Sequence, residues 1–533
     1  MAIKPFAHNR ILTLEKGNLG HTGRLPVQNR LEPPASGFRR RASGFKLGEK
    51  NMSLIAAYHL PGLAVEDHAV DVPLDWRGTT PARLAGAEKG APTSALLEES
   101  AAQRPDPAFE GRSLSLFYRV VCAPENVGRD LPYLVFLQGG PGGAGPRLSS
   151  PTSDGWVVEA VRHFRVVLPD QRGTGRSSRV DGVTVAREGD AATQARYLKR
   201  FLADSIVRDF EYLRLAELGG ARWVTLGQSY GGFLTLTYLS TFPGAAAASF
   251  TCGGIPHVPA SADDVYAHTF PRMVAKTSLL YERYPEDADR LALLADRLSA
   301  SDVRLPDGSP LSPRRLQTLG QGLGMKPGHE RLHNLLDLAF TAGDGSTGAA
   351  LGAAGGDAGK VEVSPAFLAG AWSATNVVEN PLYWVLQELI YADGELERPI
   401  AWAAERAWQA HPEFSTDARP LILTGEACFP WMFEEMPELR PFAAAMGELM
   451  ADTRFGRLYD VAQLAANETP LQAAVYFDDL YVDSGLQLDT LSRVGASHAW
   501  VTNEFEHDGL HGDRVFSHLL ELARDRGDLR GLL

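Results

Sequence analysis

The chain has 533 residues, 44% of them hydrophobic and 22% charged, a balance typical of globular proteins. At roughly 150 residues per domain, about two to four domains are expected. No run of about 18 apolar residues occurs, so no membrane-spanning helix is expected. The net charge of −13 is unevenly placed: residues 1–51 hold ten Lys/Arg against three Asp/Glu, and the rest of the chain is strongly acidic. An acidic body argues against a nucleic-acid partner. The three cysteines, Cys122, Cys252 and Cys428, are far apart and odd in number. They make neither a disulfide framework nor a zinc spacing, so no metal and a reducing, cytoplasmic location are expected.

Residues 1–51 are basic, rich in Gly, Pro and Arg, and lack periodicity. They carry no apolar core of a secretory signal. We expect a disordered extension, with Met52 as an alternative start. Short strand-like pieces follow, among them Leu114–Cys122. Leu131–Leu137 is a continuous apolar run ended by Gln138-Gly-Gly-Pro-Gly-Gly143. His163–Leu168 is another, ended by Pro169-Asp-Gln-Arg-Gly-Thr-Gly-Arg-Ser177. Phe201, Ile206, Phe210 and Leu213 recur at helical spacing and predict a helix over 193–218. Trp223–Leu226 and Ala248–Gly253 read as further buried strands. Apolar strands that alternate with helices predict a mostly parallel α/β sheet.

The rhythm then changes. Residues 260–460 read as amphipathic helices over 262–285, 287–300, 313–340, 364–392, 399–410 and 437–451. The Gly/Ala-rich stretch 341–360 is expected to be a mobile loop. The α/β pattern resumes with a strand over Pro470–Phe477, a helix over 484–494, a last strand over His498–Asn503 and a final helix over 513–526. The expected organisation is thus a disordered extension (1–51), a first core segment (52–256), a helical cap (257–465) inserted after the sixth strand, and a second core segment (466–533).

The chemistry centres on Gly227-Gln-Ser229-Tyr-Gly231, which has an apolar strand before it and a helix-compatible run after it. Gly-x-Ser-x-Gly in that setting is the pattern of a nucleophile elbow. The glycines make room for a strained turn, Ser229 sits at its tip, and the N–H of Tyr230 points where an oxyanion would form. The second oxyanion donor is expected in the glycine loop after an early strand, with the N–H of Gly140 as candidate. In this fold class the triad arrives in the order Ser, acid, His, at the C-terminal ends of strands. The base is therefore expected after the last strand, at His507, with His511 as rival and His498 at the wrong end of its strand. The acid is expected after the preceding strand, at Asp478 or Asp479, with Asp479 preferred because two adjacent residues cannot both point inward. No cofactor is implied.

Gln138-Gly-Gly-Pro-Gly-Gly, Asp170-Gln-Arg-Gly-Thr-Gly-Arg-Ser and Gly-Gln-Ser-Tyr-Gly-Gly together resemble the proline iminopeptidase (prolyl aminopeptidase) family of α/β-hydrolases. Asn380-Pro-Leu-Tyr…Gln-Glu388-Leu-Ile-Tyr391, Thr424-Gly-Glu426…Pro430-Trp-Met-Phe433, Tyr476-Phe-Asp-Asp-Leu-Tyr-Val482 and Glu506-His507-Asp-Gly-Leu510 resemble its longer bacterial form. Gln138 departs from the histidine that usually opens the first motif. The resemblance implies a serine peptidase that releases N-terminal proline from small peptides through an acyl-enzyme on Ser229. It also implies cap carboxylates that read the free ammonium, assigned by similarity to Glu388 and Glu426, with Glu379 as an outsider. Each could instead be a capping or surface carboxylate. Tyr383, Trp431 and Phe433 are candidates for the proline pocket, and Asp170 with Arg172 for a structural ion pair. The alternative function is an esterase or amidase with the same triad and another acyl substrate.

Overall fold

Continuous apolar runs become the strands of one nine-stranded sheet. In the computed structural model, which describes residues 54–87, 93–341 and 362–533, the strands are β1 (Leu54–Leu60), β2 (Leu63–Pro73), β3 (Ser113–Cys122), β4 (Tyr133–Leu137), β5 (Arg165–Pro169), β6 (Trp223–Gln228), β7 (Ala246–Cys252), β8 (Leu471–Tyr476) and β9 (Ser497–Thr502). Their order is β1-β2-β3-β5-β4-β6-β7-β8-β9. β1, β2, β3 and β5 pair antiparallel, and every pairing from β5 onward is parallel. Parallel neighbours need crossovers, and the helices between them supply these. The expectations for residues 1–51 and for most of 341–360 lie outside the described residues.

Alternation along the strands builds two cores, one on each face of the sheet. Leu134 and Phe136 of β4 join Trp156, Val157, Phe516 and Leu519, from the helices Trp156–His163 and Val515–Arg526. Val135 and Leu137 join Ile206, Phe210 and Leu234, from the helices Ala203–Ala216 and Tyr230–Thr241. This second core runs on without a break into Phe270, Leu294, Leu319 and Leu386 of the helical insertion. The described residues accordingly form one compact unit.

The insertion follows β7, one strand later than the sequence count, because the hairpin strand β1 adds an antiparallel edge. Its helices are shorter than their periodicity predicts. The run expected over 313–340 is split into Pro313–Gln317, a 3-10 stretch Thr318–Gly324, and Gly328–Leu336. Gly320, Gly322, Gly324 and Pro327 account for the break, since glycine weakens a helix and proline ends one. The run over 364–392 stops at Thr375 and restarts at Leu382, with Pro381 between. The helix over 193–218 is likewise two, Ala191–Leu198 and Ala203–Ala216, joined by a 3-10 turn.

Trp156 is fully buried, stacked on Phe136 at 4.6 Å between ring centroids and meeting Phe516 edge-on at 6.4 Å. Removing such a side chain leaves a cavity as well as losing transfer energy. Trp156→Ala is expected to cost about 3–5 kcal/mol of unfolding free energy, read from urea unfolding. A loss under about 1 kcal/mol would contradict this packing.

Candidate active site

Ser229 lies between β6 and the helix Tyr230–Thr241, with φ 55° and ψ −127°. A serine rarely adopts a positive φ, and the surroundings must enforce it. They do so by crowding. A Cβ added to Gly231 would stand 1.8 Å from the carbonyl oxygen of Leu137 in β4. One added to Gly227 would stand 2.3 Å from the carbonyl oxygen of Gly231. No side chain fits at either position, so helix and strand close on the turn and Ser229 is left at its apex. The Ser229 N–H is fixed by the carbonyl of Cys252 at 3.1 Å. As first residue of the helix, Tyr230 has an N–H without an intrahelical acceptor.

The glycine loop after β4 lies against this turn: a Cβ on Gly139 would fall 2.9 Å from Cβ of Ser229. Gly140, next to it, has φ +124°. Gln171 holds the loop by donating its amide to the Gln138 carbonyl at 2.7 Å.

The residues after β8 divide cleanly. Asp478 is exposed and Asp479 fully buried. One Asp479 oxygen accepts from the N–H groups of Tyr481 (2.8 Å) and Val482 (3.1 Å); the other meets His507 Nδ1 at 2.8 Å. That hydrogen bond favours the tautomer with the proton on Nδ1 and leaves Nε2 on the opposite side of the ring from Asp479. His507 follows β9 and is buried. Its N–H donates to the carbonyl of Gly324 in the insertion, and its carbonyl accepts from the amide of Gln228, the neighbour of Ser229, at 3.4 Å. The Ser229 hydroxyl itself completes no hydrogen bond among the described residues; such contacts tighten when substrate binds. Burial alone would lower the His507 pKa, but the charge and hydrogen bond of Asp479, with Glu426 behind, raise it above its ordinary 6.5. The rival histidines stand apart. His511 pairs with Asp154 at 3.0 Å, and His498 is exposed on β9.

The two cap carboxylates have different environments. Glu426 is half-buried and accepts from the Tyr383 hydroxyl, which accepts in turn from the amide of Gln321 at 2.7 Å. Burial raises the Glu426 pKa, against the opposing Tyr383 hydrogen bond and the positive influence of His507. No cation pairs with Glu426 among the described residues. Glu388 does not share this setting. Its oxygens accept from the N–H groups of Ala403 (3.0 Å) and Ala404 (2.8 Å), at the start of the helix Ala403–Ala410. It is a helix-capping carboxylate, and burial pushes its pKa up to about 8 against those two hydrogen bonds.

The helical period explains the difference. Tyr383 and Gln387 are four residues apart and face the same way; Glu388 is turned by about 100° from its neighbour. Gln387 is fully buried close to Glu426, which feels its amide, yet neither amide atom completes a hydrogen bond among the described residues. The sequence reading passed over Gln387, although the i, i+4 relation to Tyr383 could have found it. Gln321 and Tyr481 were also missed; Gln321 lies in the 3-10 stretch Thr318–Gly324, whose facing differs from that of the expected helix, and Tyr481 in the turn after β8, where no periodicity guides the eye. Glu379 is exposed, its carbonyl held by Arg179. Trp431 and Phe433 pack on Phe429 and Trp402 inside the helical layer.

The expected Asp170–Arg172 pair does not form. Arg172 turns to Asp209, which also accepts from the Trp76 indole at 2.8 Å, while Asp170 accepts from Arg147 and from the N–H groups of Gly145 and Arg176. Both acids are fully buried, and each takes the cation that burial makes available. Among the described residues no group of three or more His, Cys, Asp or Glu is placed to hold a metal ion.

A family model for the alpha/beta hydrolase fold matches residues 132–297. With this strand order and the tight turn at Ser229, the chain is an α/β hydrolase. It is 36% identical over 477 residues to the proline iminopeptidase of Aeromonas sobria, covering 89% of this chain and 100% of that one. It is 31% identical over 409 residues to the proline iminopeptidase aneH of Aspergillus aculeatus, covering 75% and 86%. The chain belongs to the proline iminopeptidase family.

The position of Glu388 has a consequence for stability. A carboxyl whose folded pKa lies near 8 instead of the ordinary 4.5 ionises in the unfolded chain first, so stability falls as pH rises across that interval. Glu388→Gln removes this titration and keeps one acceptor oxygen. The variant should show a flatter dependence of unfolding free energy on pH between these values; an unchanged slope would contradict the buried, capping position.

Proposed function

We propose that this protein is a serine aminopeptidase that releases N-terminal proline from small peptides. The observation that carries the reading is Glu426: a half-buried carboxylate whose charge acts on the imidazole, with no cation partner among the described residues. A free α-ammonium supplies the missing charge, and a buried pair of that kind distinguishes a peptide's first residue from any internal one. The family membership supports the same substrate. Glu388 has no part in the amine site.

In the proposed reaction, Ser229 Oγ attacks the prolyl carbonyl carbon while His507 Nε2 takes the hydroxyl proton. Asp479 holds the ring and stabilises the imidazolium. The N–H groups of Tyr230 and Gly140 receive the oxyanion. The C–N bond then breaks, His507 returns the proton to the leaving amine, and a prolyl ester remains on Ser229. Water attacks that ester by the same route in reverse, and proline departs. The three buried, unpaired cysteines favour a cytoplasmic location; no helix among the described residues is long and apolar enough to cross a membrane.

Proline arylamide and its N-acetylated form separate this reading from a general esterase or amidase. Only the unblocked compound should be cleaved, and Glu426→Gln should lower kcat/KM for it by about a hundredfold. Equal cleavage of the blocked compound would overturn the proposal.

The base must be neutral to accept the proton, and its pKa is raised. The rise of kcat/KM with pH should therefore centre above 6.5. Glu426→Gln removes a nearby negative charge, so the residual activity should show this limb displaced to lower pH. A displacement to higher pH would contradict the electrostatics.

A further inference from the structure

A cleft of about 440 Å³ has none of the proposed site's residues in its lining and is built largely of charge. The loop after β2, the helix Ala95–Ala102, the segment from Arg196 to Arg208 and the loop from Asp452 to Arg457 meet around it. Seven of its lining side chains are Lys or Arg and four are Asp or Glu. This positive excess stands in a chain of net charge −13, so overall composition does not account for it.

The carboxylates are shared out unevenly. Asp75, which does not itself line the cleft, pairs with Arg77 at 2.5 Å and with Arg200 at 3.3 Å; Asp452 pairs with Lys199, and Glu99 with Arg457 at 3.2 Å. Two guanidinium groups are left short. Arg208 is only 3% exposed, and its Nη1 alone is engaged, donating to the Asp204 carbonyl and standing 3.7 Å from the Asp204 carboxylate. Its Nε is buried with no partner among the described residues. Arg454 is exposed, and its guanidinium has no partner among the described residues. Burial lowers the pKa of Arg208, Arg200 and Lys199 in spite of the nearby acids, as it does where positive charge is not fully compensated. A network that only braced the fold would match its charges and leave no buried donor idle.

We propose that this cleft binds a multivalent phosphate anion, a pyrophosphate group or an organic ester of one, held by Arg208 within and Arg454 at the rim. The excess charge calls for more than a single negative charge. Guanidinium groups enter from three separate segments, at Arg77, Arg208 and Arg454. A tetrahedral phosphate offers oxygens to donors on all sides, whereas a planar carboxylate takes them along its edge. Lys199, its ammonium 4.6 Å from the centre of the Phe455 ring, adds a point charge. The inference is independent of the peptidase reading.

Titration calorimetry of the full chain with sodium pyrophosphate tests it, with citrate as a carboxylate of comparable charge. Pyrophosphate should bind saturably with Kd below about 1 mM, more weakly as salt is raised, and about tenfold or more tighter than citrate. It should also raise the unfolding temperature. Arg454→Glu should weaken binding by about tenfold or more, with the unfolding temperature in the absence of pyrophosphate unchanged, because the side chain it replaces holds nothing in the fold. No saturable binding up to about 1 mM, citrate binding as tightly as pyrophosphate, or an affinity unmoved by Arg454→Glu overturns the proposal.

Discussion

The close approach of two pieces of backbone sets the geometry of the site. The helix after Ser229 comes so near β4 that no side chain fits at Gly231, and it folds back so tightly on β6 that none fits at Gly227. This crowding holds Ser229 at a positive φ, a conformation that costs of order 1–3 kcal/mol and persists only where the surroundings over-determine it. The surroundings here are the sheet itself: β4, β6 and β7 lie side by side in parallel register. Because they run the same way, their C-terminal ends meet at one edge, where the loops after β4, β6, β8 and β9 also converge.

Electrostatics completes what the backbone begins. His507 is shielded from water, and two carboxylates bias it towards the protonated state. Asp479 does so by direct contact, its other oxygen tied to two backbone N–H groups so that it cannot turn away. Glu426 does so at longer range and comes from a different part of the chain. The helical insertion thus supplies more than a roof: it brings negative charge, and the Gln321–Tyr383 relay that orients it, to a site whose remaining parts belong to the sheet.

Several buried charges near this region are structural. Glu388 replaces the missing acceptor at a helix start, and Arg172 with Asp209 ties the loop after β5 to the helix Ala203–Ala216 through carbonyls at Pro73, Leu74 and Arg200. Breaking one partner of such a buried group leaves the other uncompensated, which is why these charges come with full sets of partners. Strong perturbation of a carboxyl does not by itself mark a functional residue, as the neighbouring positions 387 and 388 make plain.

Much of this was written in local patterns. Apolar runs of four to seven residues ended by glycine became strands, and the strand–Gly-x-Ser-x-Gly–helix succession became the tight turn, because strand burial and turn sterics act over a few neighbours. The preference for Asp479 over Asp478 came from two adjacent residues being unable both to point inward, and that for His507 over His511 from placement after the last strand. The lengths of the insertion's helices were misread because periodicity persists across glycines and prolines that end the helix. The partner of Arg172, the capping position of Glu388, and the meeting of Glu426 with Tyr383, Gln387 and Gln321 were beyond local reading. Those residues lie far apart in the chain, and which carboxylate gains a cation, a backbone N–H or neither is decided only when packing has fixed which groups share the same desolvated space.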